Sequence, residues 1–253
     1  MDNPLDLTGK TILVTGASAG IGRCTAVLLS RLGARVVLSG RDVGRLRQTA
    51  GEMDGEGHHV AALDLANPNE IAAWIAELAQ VVGPLSGIAH CAGVAATMPL
   101  RFLSLKQLDD VMRVNFYSAV LLTKEFARKR IHERNASLVF VASIAGMRGK
   151  RARSIYGASK GALIAFAKSA AIELANEGIR VNCVAPSYVH TDMYERIGDL
   201  MTPEQLQDCV ERTQPLGLGT PLDVANAIAF LLADTGKWIT GSVLAVDGGY
   251  TAQ

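Results

Sequence analysis

The sequence has little of what marks a disulfide scaffold, a metal centre or a membrane span. Its 253 residues hold four cysteines, Cys24, Cys91, Cys183 and Cys209, and no two of them form a CxxC pair. Nor does any group of histidines and cysteines have metal-ligand spacing, so no metal site is expected and the thiols are read as buried and reduced. Among the histidines, His58 and His59 are expected to lead into a strand, His132 to end a helix, and His90 and His190 to stand near the candidate site. Apolar runs stop well short of the ~20 residues that a bilayer requires. Met1-Asp2-Asn3-Pro4 lacks a basic leader region, and a cytoplasmic protein without membrane segments is expected. An excess of one charge is lacking too: the formal net charge is +1, which recruits neither nucleic acid nor an anionic membrane. Charged residues make up 19% against 49% hydrophobic, a balance that excludes disorder and suits a buried parallel sheet.

What is present is a regular alternation of strand and helix patterns. Residues 10–15 form a short β-rich run, and Gly16-Ala17-Ser18-Ala19-Gly20-Ile21-Gly22 turns directly into a helical pattern over 24–32. Strand, glycine turn and helix together can cradle a phosphate. Glycine lets the backbone approach closely, and unpaired N–H groups at the helix start point at the anion. The spacing is GxxxGxG, which departs from the GxGxxG of the commonest dinucleotide fingerprint. Further strands are predicted at 34–38, 60–63, 85–90, 138–142, 180–184 and 243–246. Helices are predicted from Asp42 to about 54, over 69–82, from about 105 through Asn115 to His132, from Ser154 onward and over 221–233. Such alternation implies one doubly wound parallel sheet with helices on both faces and right-handed crossovers.

On the helix after Ser154, Tyr156 and Lys160 stand four residues apart on one face. A free phenol has a pKa of about 10, and a fixed cation nearby favours its phenolate. In doubly wound sheets, ligands bind beyond the carboxyl ends of the strands. The residues at issue all follow predicted strand ends: Gly16 to Gly22, Gly40-Arg41, Asp64, Cys91 to Gly93, Ser143 and Pro186 to Thr191. That shared edge places Tyr156 and Lys160 against a cofactor.

With these residues assembled, the chain resembles the short-chain dehydrogenase/reductase family from about Leu7 to Tyr250. The motifs that carry the resemblance are Thr15 to Gly22, Asp64-Leu65, Ala92-Gly93, Asn115, Ser143, Tyr156 with Lys160, Pro186 to Thr191, and Val246-Asp247-Gly248-Gly249. It implies a single-domain, Rossmann-type α/β fold and a catalytic set of Asn115, Ser143, Tyr156 and Lys160. Tyr156 would exchange a proton with the substrate oxygen, and Lys160 would lower the phenol pKa and bond the nicotinamide ribose. Ser143 would hold the substrate oxygen, and Asn115 a water behind Lys160. Cofactor contacts would come from Gly16, Ser18, Ala19, Gly20, Ile21, Gly22, Arg41, Asp64, Leu65, Cys91, Ala92, Gly93, Pro186, Val189 and Thr191. Three positions depart from the family pattern. Cys91 stands where asparagine commonly precedes Ala-Gly, Ser187 replaces the usual glycine after Pro186, and Ala19 occupies a position often basic in NADP enzymes.

The implied activity is hydride transfer between NAD(P) and a ketone or secondary alcohol. In layout the chain is closest to the 3-oxoacyl-acyl-carrier-protein reductases, so a 3-oxoacyl thioester is the first expectation. A dehydrogenase of a sugar, polyol or other small alcohol is the alternative, and a non-catalytic cofactor-binding regulator the alternative of another class. At the end of the second strand Gly40 replaces the carboxylate that NAD-selective enzymes use, and Arg41 follows with a guanidinium suited to a phosphate. NADP(H) is therefore expected ahead of NAD(H), with a hydrogen bond from Ser39. A substrate lid is expected at about 189–214, including a helical flap over 203–212. A homo-oligomer, expected as a tetramer, would use the helices 112–126 and 163–174 and the run Phe230-Leu231-Leu232. Residues 147–153 set four basic residues beside Ser143 and Tyr156. A solvated loop is the expectation for such a run, with attraction of an anionic substrate or acidic carrier protein as the sharper alternative.

Overall fold

The computed structural model describes residues 3–198 and 202–253. Seven parallel strands form one sheet in the order β3-β2-β1-β4-β5-β6-β7. They are β1 (Thr11–Thr15), β2 (Arg35–Gly40), β3 (His59–Ala62), β4 (Leu85–His90), β5 (His132–Val141), β6 (Arg180–Pro186) and β7 (Val243–Val246). The first crossovers are α1 (Gly20–Arg31), α2 (Val43–Ala50) and α3 (Ile71–Val82), followed by α4 (Leu105–Met112) and α5 (Ser118–Phe126). Then come α6 (Ser154–Leu174), α7 (Asp192–Gly198), α8 (Pro203–Thr213) and α9 (Pro221–Leu232). Strand order reverses between β1 and β4, which opens a crevice at their carboxyl ends.

The two-residue period of the strands divides the core into two layers. Leu13, Val37, Ile88, Leu138, Phe140 and Val181 face α3, α5 and α6. Their neighbours Ile12, Val14, Val36, Leu38, Ala89 and Val139 face α1 and α9. Because both faces are covered, the strands read as continuous apolar runs rather than alternating ones.

Several boundaries differ from the sequence expectation. α1 begins at Gly20, inside the glycine turn, and α2 stops at Ala50 with Gly51 as its cap. The long helix expected from 105 to 132 is broken by a π turn at Arg113–Tyr117 and ends at Phe126. His132 starts β5 rather than ending a helix. The carbonyl of Ile131 already accepts the Leu85 N–H at 2.8 Å, which draws the chain into the sheet early. Between Leu85 and Gly87 the register then shifts as β5 passes from His132 to Ser137. Leu231 and Leu232, expected at an interface between copies, lie in the core. The expected flap is α8, capped by Thr202 and Gln205 in a reciprocal box and held down by buried Leu206 and Val210. Residues 199–201 of the expected lid lie outside the described residues.

Candidate active site

The turn after β1 closes on itself so tightly that side chains are excluded. A Cβ on Gly22 would come within 2.2 Å of the Gly16 carbonyl oxygen, and Gly16 and Gly20 hold φ of +67° and +50°. The N-cap of α1, Ala19, offers no side-chain hydrogen bond, and the first turn carries no carboxylate. Its N–H groups are thus left to an external anion, with the helix dipole behind them. On one side the turn touches Ala92, whose backbone would lie 2.9 Å from a Cβ on Gly16. On the other it touches Thr191, 3.2 Å from a Cβ on Gly20. Ser18, Ala19 and Ile21 are partly exposed in the same turn. Beyond β2, Arg41 is exposed, while Asp42 caps α2 by accepting the Arg45 N–H at 3.0 Å. Ser39 is buried with its hydroxyl unpartnered, so the hydrogen bond expected of it is not available at the surface. Asp64 is exposed, with one oxygen accepting the Ala66 N–H at 3.0 Å. Leu65, expected among the cofactor residues, packs its side chain into the core and can present only backbone.

Across the crevice a cleft of about 1010 Å³, counting the part open to solvent, is lined by Ser143, Tyr156, Lys160, Cys91, Gly93, Pro186, Val189 and Thr191. Two glycines bring Ser143 and Tyr156 together. A Cβ on Gly157 would lie 2.6 Å from the Ala145 carbonyl oxygen, and one on Gly146 2.7 Å from the Gly161 nitrogen. Their absence lets the turn after Ser143 lie directly on the first turns of α6. Burial raises the Tyr156 pKa, while a hydrogen bond with the Ser143 side chain and the Arg153 charge pull the other way. Lys160, expected to lower it, stands further off. Its Nζ lies 5.9 Å from the centre of the Tyr156 ring and donates to the Val141 carbonyl at 2.8 Å. Burial brings the Lys160 pKa down to about 8, which still leaves the ammonium charged at neutral pH.

Asn115 is fully buried in the π turn. Its Oδ1 accepts the Val94 N–H at 2.8 Å, and its Nδ2 donates to the Val94 carbonyl and the Ser159 hydroxyl, each at 3.0 Å. The amide thus ties the chain after Gly93 to α6. A Cβ on Gly93 would stand 3.3 Å from both Asn115 Oδ1 and Lys160 Nζ, so the glycine keeps the space between them open.

At the end of β4 lies a hydrogen-bond chain that the sequence did not disclose. Ser118 donates to the Val114 carbonyl at 2.6 Å, so its oxygen accepts from His90 Nε2 at 3.4 Å. His90 Nδ1 is then the acceptor for Thr15 Oγ1 at 3.0 Å, and Thr15 in turn accepts the Ala92 N–H at 3.2 Å. Burial, reinforced by Lys160, lowers the His90 pKa to about 3, so the ring is neutral and this tautomer is fixed. Beside Cys91, which stands where asparagine is usual, it is Thr15 that holds the backbone, through the Ala92 N–H. Burial pushes the Cys91 thiol up to about 12, which makes it inert. Ser187, the second departure, is absent from the residues with left-handed φ, so its side chain fits without backbone strain.

A family model described as Enoyl-(Acyl carrier protein) reductase matches residues 16–251. The chain belongs to the short-chain dehydrogenase/reductase family. Among its relatives is the 3-oxoacyl-[acyl-carrier-protein] reductase FabG of Rickettsia felis, 35% identical over 97% of this chain and 98% of that one. The human 3-oxoacyl-[acyl-carrier-protein] reductase is 34% identical over 95% of this chain and 97% of its own. A solved structure from Beutenbergia cavernae, assigned as an NAD(P) dependent gluconate 5-dehydrogenase and holding NADP at low occupancy, superposes with a TM-score of 0.91. It is 32% identical and covers 99% of this chain and 100% of its own. The protein is accordingly a short-chain oxidoreductase that acts on CH–OH groups with a nicotinamide cofactor.

The donors present fit that cofactor: the uncapped start of α1, the excluded side chains of the glycine turn, and the buried, unpartnered Ser187 hydroxyl on the cleft wall. No helix among the described residues is long and apolar enough to cross a membrane, and none of their side chains cluster as a metal site. Besides the His90 chain, sequence reasoning missed the ion pair of Arg45 and Asp192, 3.0 Å apart, which joins α2 to α7. Its partners lie 147 positions apart, and neither belongs to a motif.

Proposed function

We propose that the protein is an NADP(H)-dependent reductase of a 3-oxoacyl thioester. The observation that carries this reading is the meeting of Ser143, Tyr156 and Lys160 in one cleft, beside a glycine turn built for a dinucleotide phosphate. When bound, the nicotinamide supplies or accepts the hydride. Tyr156 holds the proton on its phenol oxygen, and its raised pKa keeps it an acid at neutral pH, which suits reduction. The Ser143 hydroxyl, positioned by the Ala145 N–H at 3.2 Å, steadies the substrate oxygen. One of the three Lys160 protons is committed to Val141, leaving two for the ribose and for a water in the space that Gly93 keeps open. Arg41 would take the extra phosphate of NADP, since Gly40 ends β2 without a carboxylate and Asp42 is engaged in capping α2. The thioester is supported by the names of the curated relatives.

A second reading, oxidation of a sugar acid or other small alcohol, is favoured by the cationic wall of the cleft and the name of the Beutenbergia neighbour. In either case the residues 189–214 would act as the lid, with Met193 and Tyr194 of α7 reaching the cleft. Exposed Ile172 on α6 and Trp238, 76% and 96% accessible, support a homo-oligomer, which we take to be a tetramer. Four free cysteines support a reducing, cytoplasmic setting. Turnover with acetoacetyl thioesters and with ketogluconates, using NADPH and NADH in turn, tests the whole reading. Faster thioester reduction with NADPH is expected; turnover of sugar acids alone would replace it with the second reading.

A further inference from the structure

Among the described residues four cations line the cleft, Arg148, Lys150, Arg153 and Lys160, and no aspartate or glutamate does. Two of them have partners. Arg148 donates to the carbonyl oxygens of Tyr250 and Gln253, both at 2.9 Å, and Lys160 to Val141. Lys150 and Arg153 form no ion pair among the described residues. Each lies instead against an aromatic ring: Lys150 Nζ is 4.3 Å from the centre of the Tyr188 ring, and the Arg153 guanidinium 5.6 Å from that of Tyr156. Rings hold a cation in place without neutralising it. Arg153 is half-buried as well, and leaving a cation unpaired there is costly, a cost that an anion relieves. Desolvation already lowers the Arg153 pKa.

The backbone presenting the two cations is itself strained. Ala152, between them, holds φ of +59°, and its carbonyl accepts the Met98 N–H at 2.8 Å. Left-handed backbone is unfavourable at a residue with a Cβ, and such strain gathers at ligand clamps. Arg153 also occupies the N-cap of the 21-residue α6, where no side chain caps the helix, so the positive end of the dipole faces the same space.

We propose that Arg153 and Lys150 form an anion-binding subsite beside Tyr156, so that the substrate of this cleft carries its own carboxylate or phosphate. This rests on the reading of the cleft as a hydride-transfer site. The two sources differ in reach. A carboxylate a few bonds from the reacting carbon would meet half-buried Arg153, whereas the phosphates of a coenzyme or carrier thioester would meet the more exposed Lys150.

The test compares paired substrates with saturating NADPH on wild type, Arg153→Gln, exposed Lys150→Gln and the double variant. One pair is a ketogluconate and its neutral amide; the other is acetoacetyl-coenzyme A and the neutral N-acetylcysteamine thioester. The expected result is that the ratio of kcat/KM for the charged over the neutral member falls about ten- to hundredfold in the double variant. A fall confined to the first pair identifies a carboxylate, and one confined to the second identifies the carrier phosphate. Unchanged ratios in both pairs would overturn the subsite and leave Arg153 acting on Tyr156 alone. Should no ketone turn over, calorimetric titration with malonate still decides. Binding by wild type that the double variant loses supports the subsite while the hydride-transfer reading fails, and equal or absent binding in both refutes the subsite.

Discussion

The two sides of the crevice are built from different materials. On the β1 to β3 side the surface offered to a ligand is mostly backbone, a glycine turn and an uncapped helix start, where an added methyl group would collide with a carbonyl. On the β4 to β6 side it is side chains: a phenol, a hydroxyl, an ammonium and a guanidinium, each set by hydrogen bonds or rings around it. A backbone site suits a ligand that every reaction of the fold has in common, such as a dinucleotide phosphate. A side-chain site can be re-aimed residue by residue, which is where one fold acquires different substrates.

The largest expected effect falls on the side-chain half. Tyr156→Phe should lower kcat by about a hundredfold or more while NADPH still binds, measured by steady-state kinetics and fluorescence titration. Retained turnover would mean that the phenol is not the proton donor. On the backbone half, adding matter should do what removing it does opposite: Gly22→Ala should cost about 1–3 kcal/mol of stability and weaken both cofactors alike. Unimpaired cofactor binding by that variant would break the contrast.

His90 joins the two halves, and its effect depends on pH. Its pKa of about 3 in the fold, against 6.5 when exposed, gives stability that is complete above pH 6.5 and lost as pH falls towards 3. The loss is about 1.4 kcal/mol per pH unit, or roughly 2 kcal/mol by pH 5. His90→Asn should flatten that part of the curve in chemical denaturation followed between pH 7 and 5. A slope as steep as wild type would assign the acid sensitivity to other groups. Arg41→Ala should reduce any preference for NADPH over NADH about tenfold and leave NADH affinity nearly unchanged. The smallest effect is expected for Asp192→Asn. Its ion pair with Arg45 is about half exposed, so thermal stability should change by under ~1 kcal/mol. A larger shift would make the contact between α2 and α7 a structural tie.

What was legible in the sequence follows the same division. Strands buried on both faces and helices closed by glycine gave the alternation, and strand ends collected Gly16 to Gly22, Ser143 and Pro186 to Thr191 along one edge. Tyr156 and Lys160 were legible because helical spacing is local. Long-range packing was not: the Phe230-Leu231-Leu232 run looks alike as core or as interface until α9 is seen covered. The His90 tautomer was hidden for a similar reason. It depends on Thr15 and Ser118, which the strand order and the helix after α4 bring to it from opposite directions in the chain. Burial of the Tyr156 and Lys160 pair was equally invisible, and it reverses the expected direction of the phenol pKa.

The π turn at Arg113–Tyr117 works as a phase shifter. One residue more per turn than the surrounding helix needs advances the azimuth of everything after it by about 100°. α4 and α5 therefore present different faces along what would otherwise be one rod, and the amide of Asn115 is turned inward to Val94 and Ser159 at the step. Deleting a single residue there would restore an unbroken helical ladder and improve the local hydrogen bonding. It would also rotate that amide away from Gly93 by more than a quarter turn, so in this stretch the straighter helix is the one that loses the site.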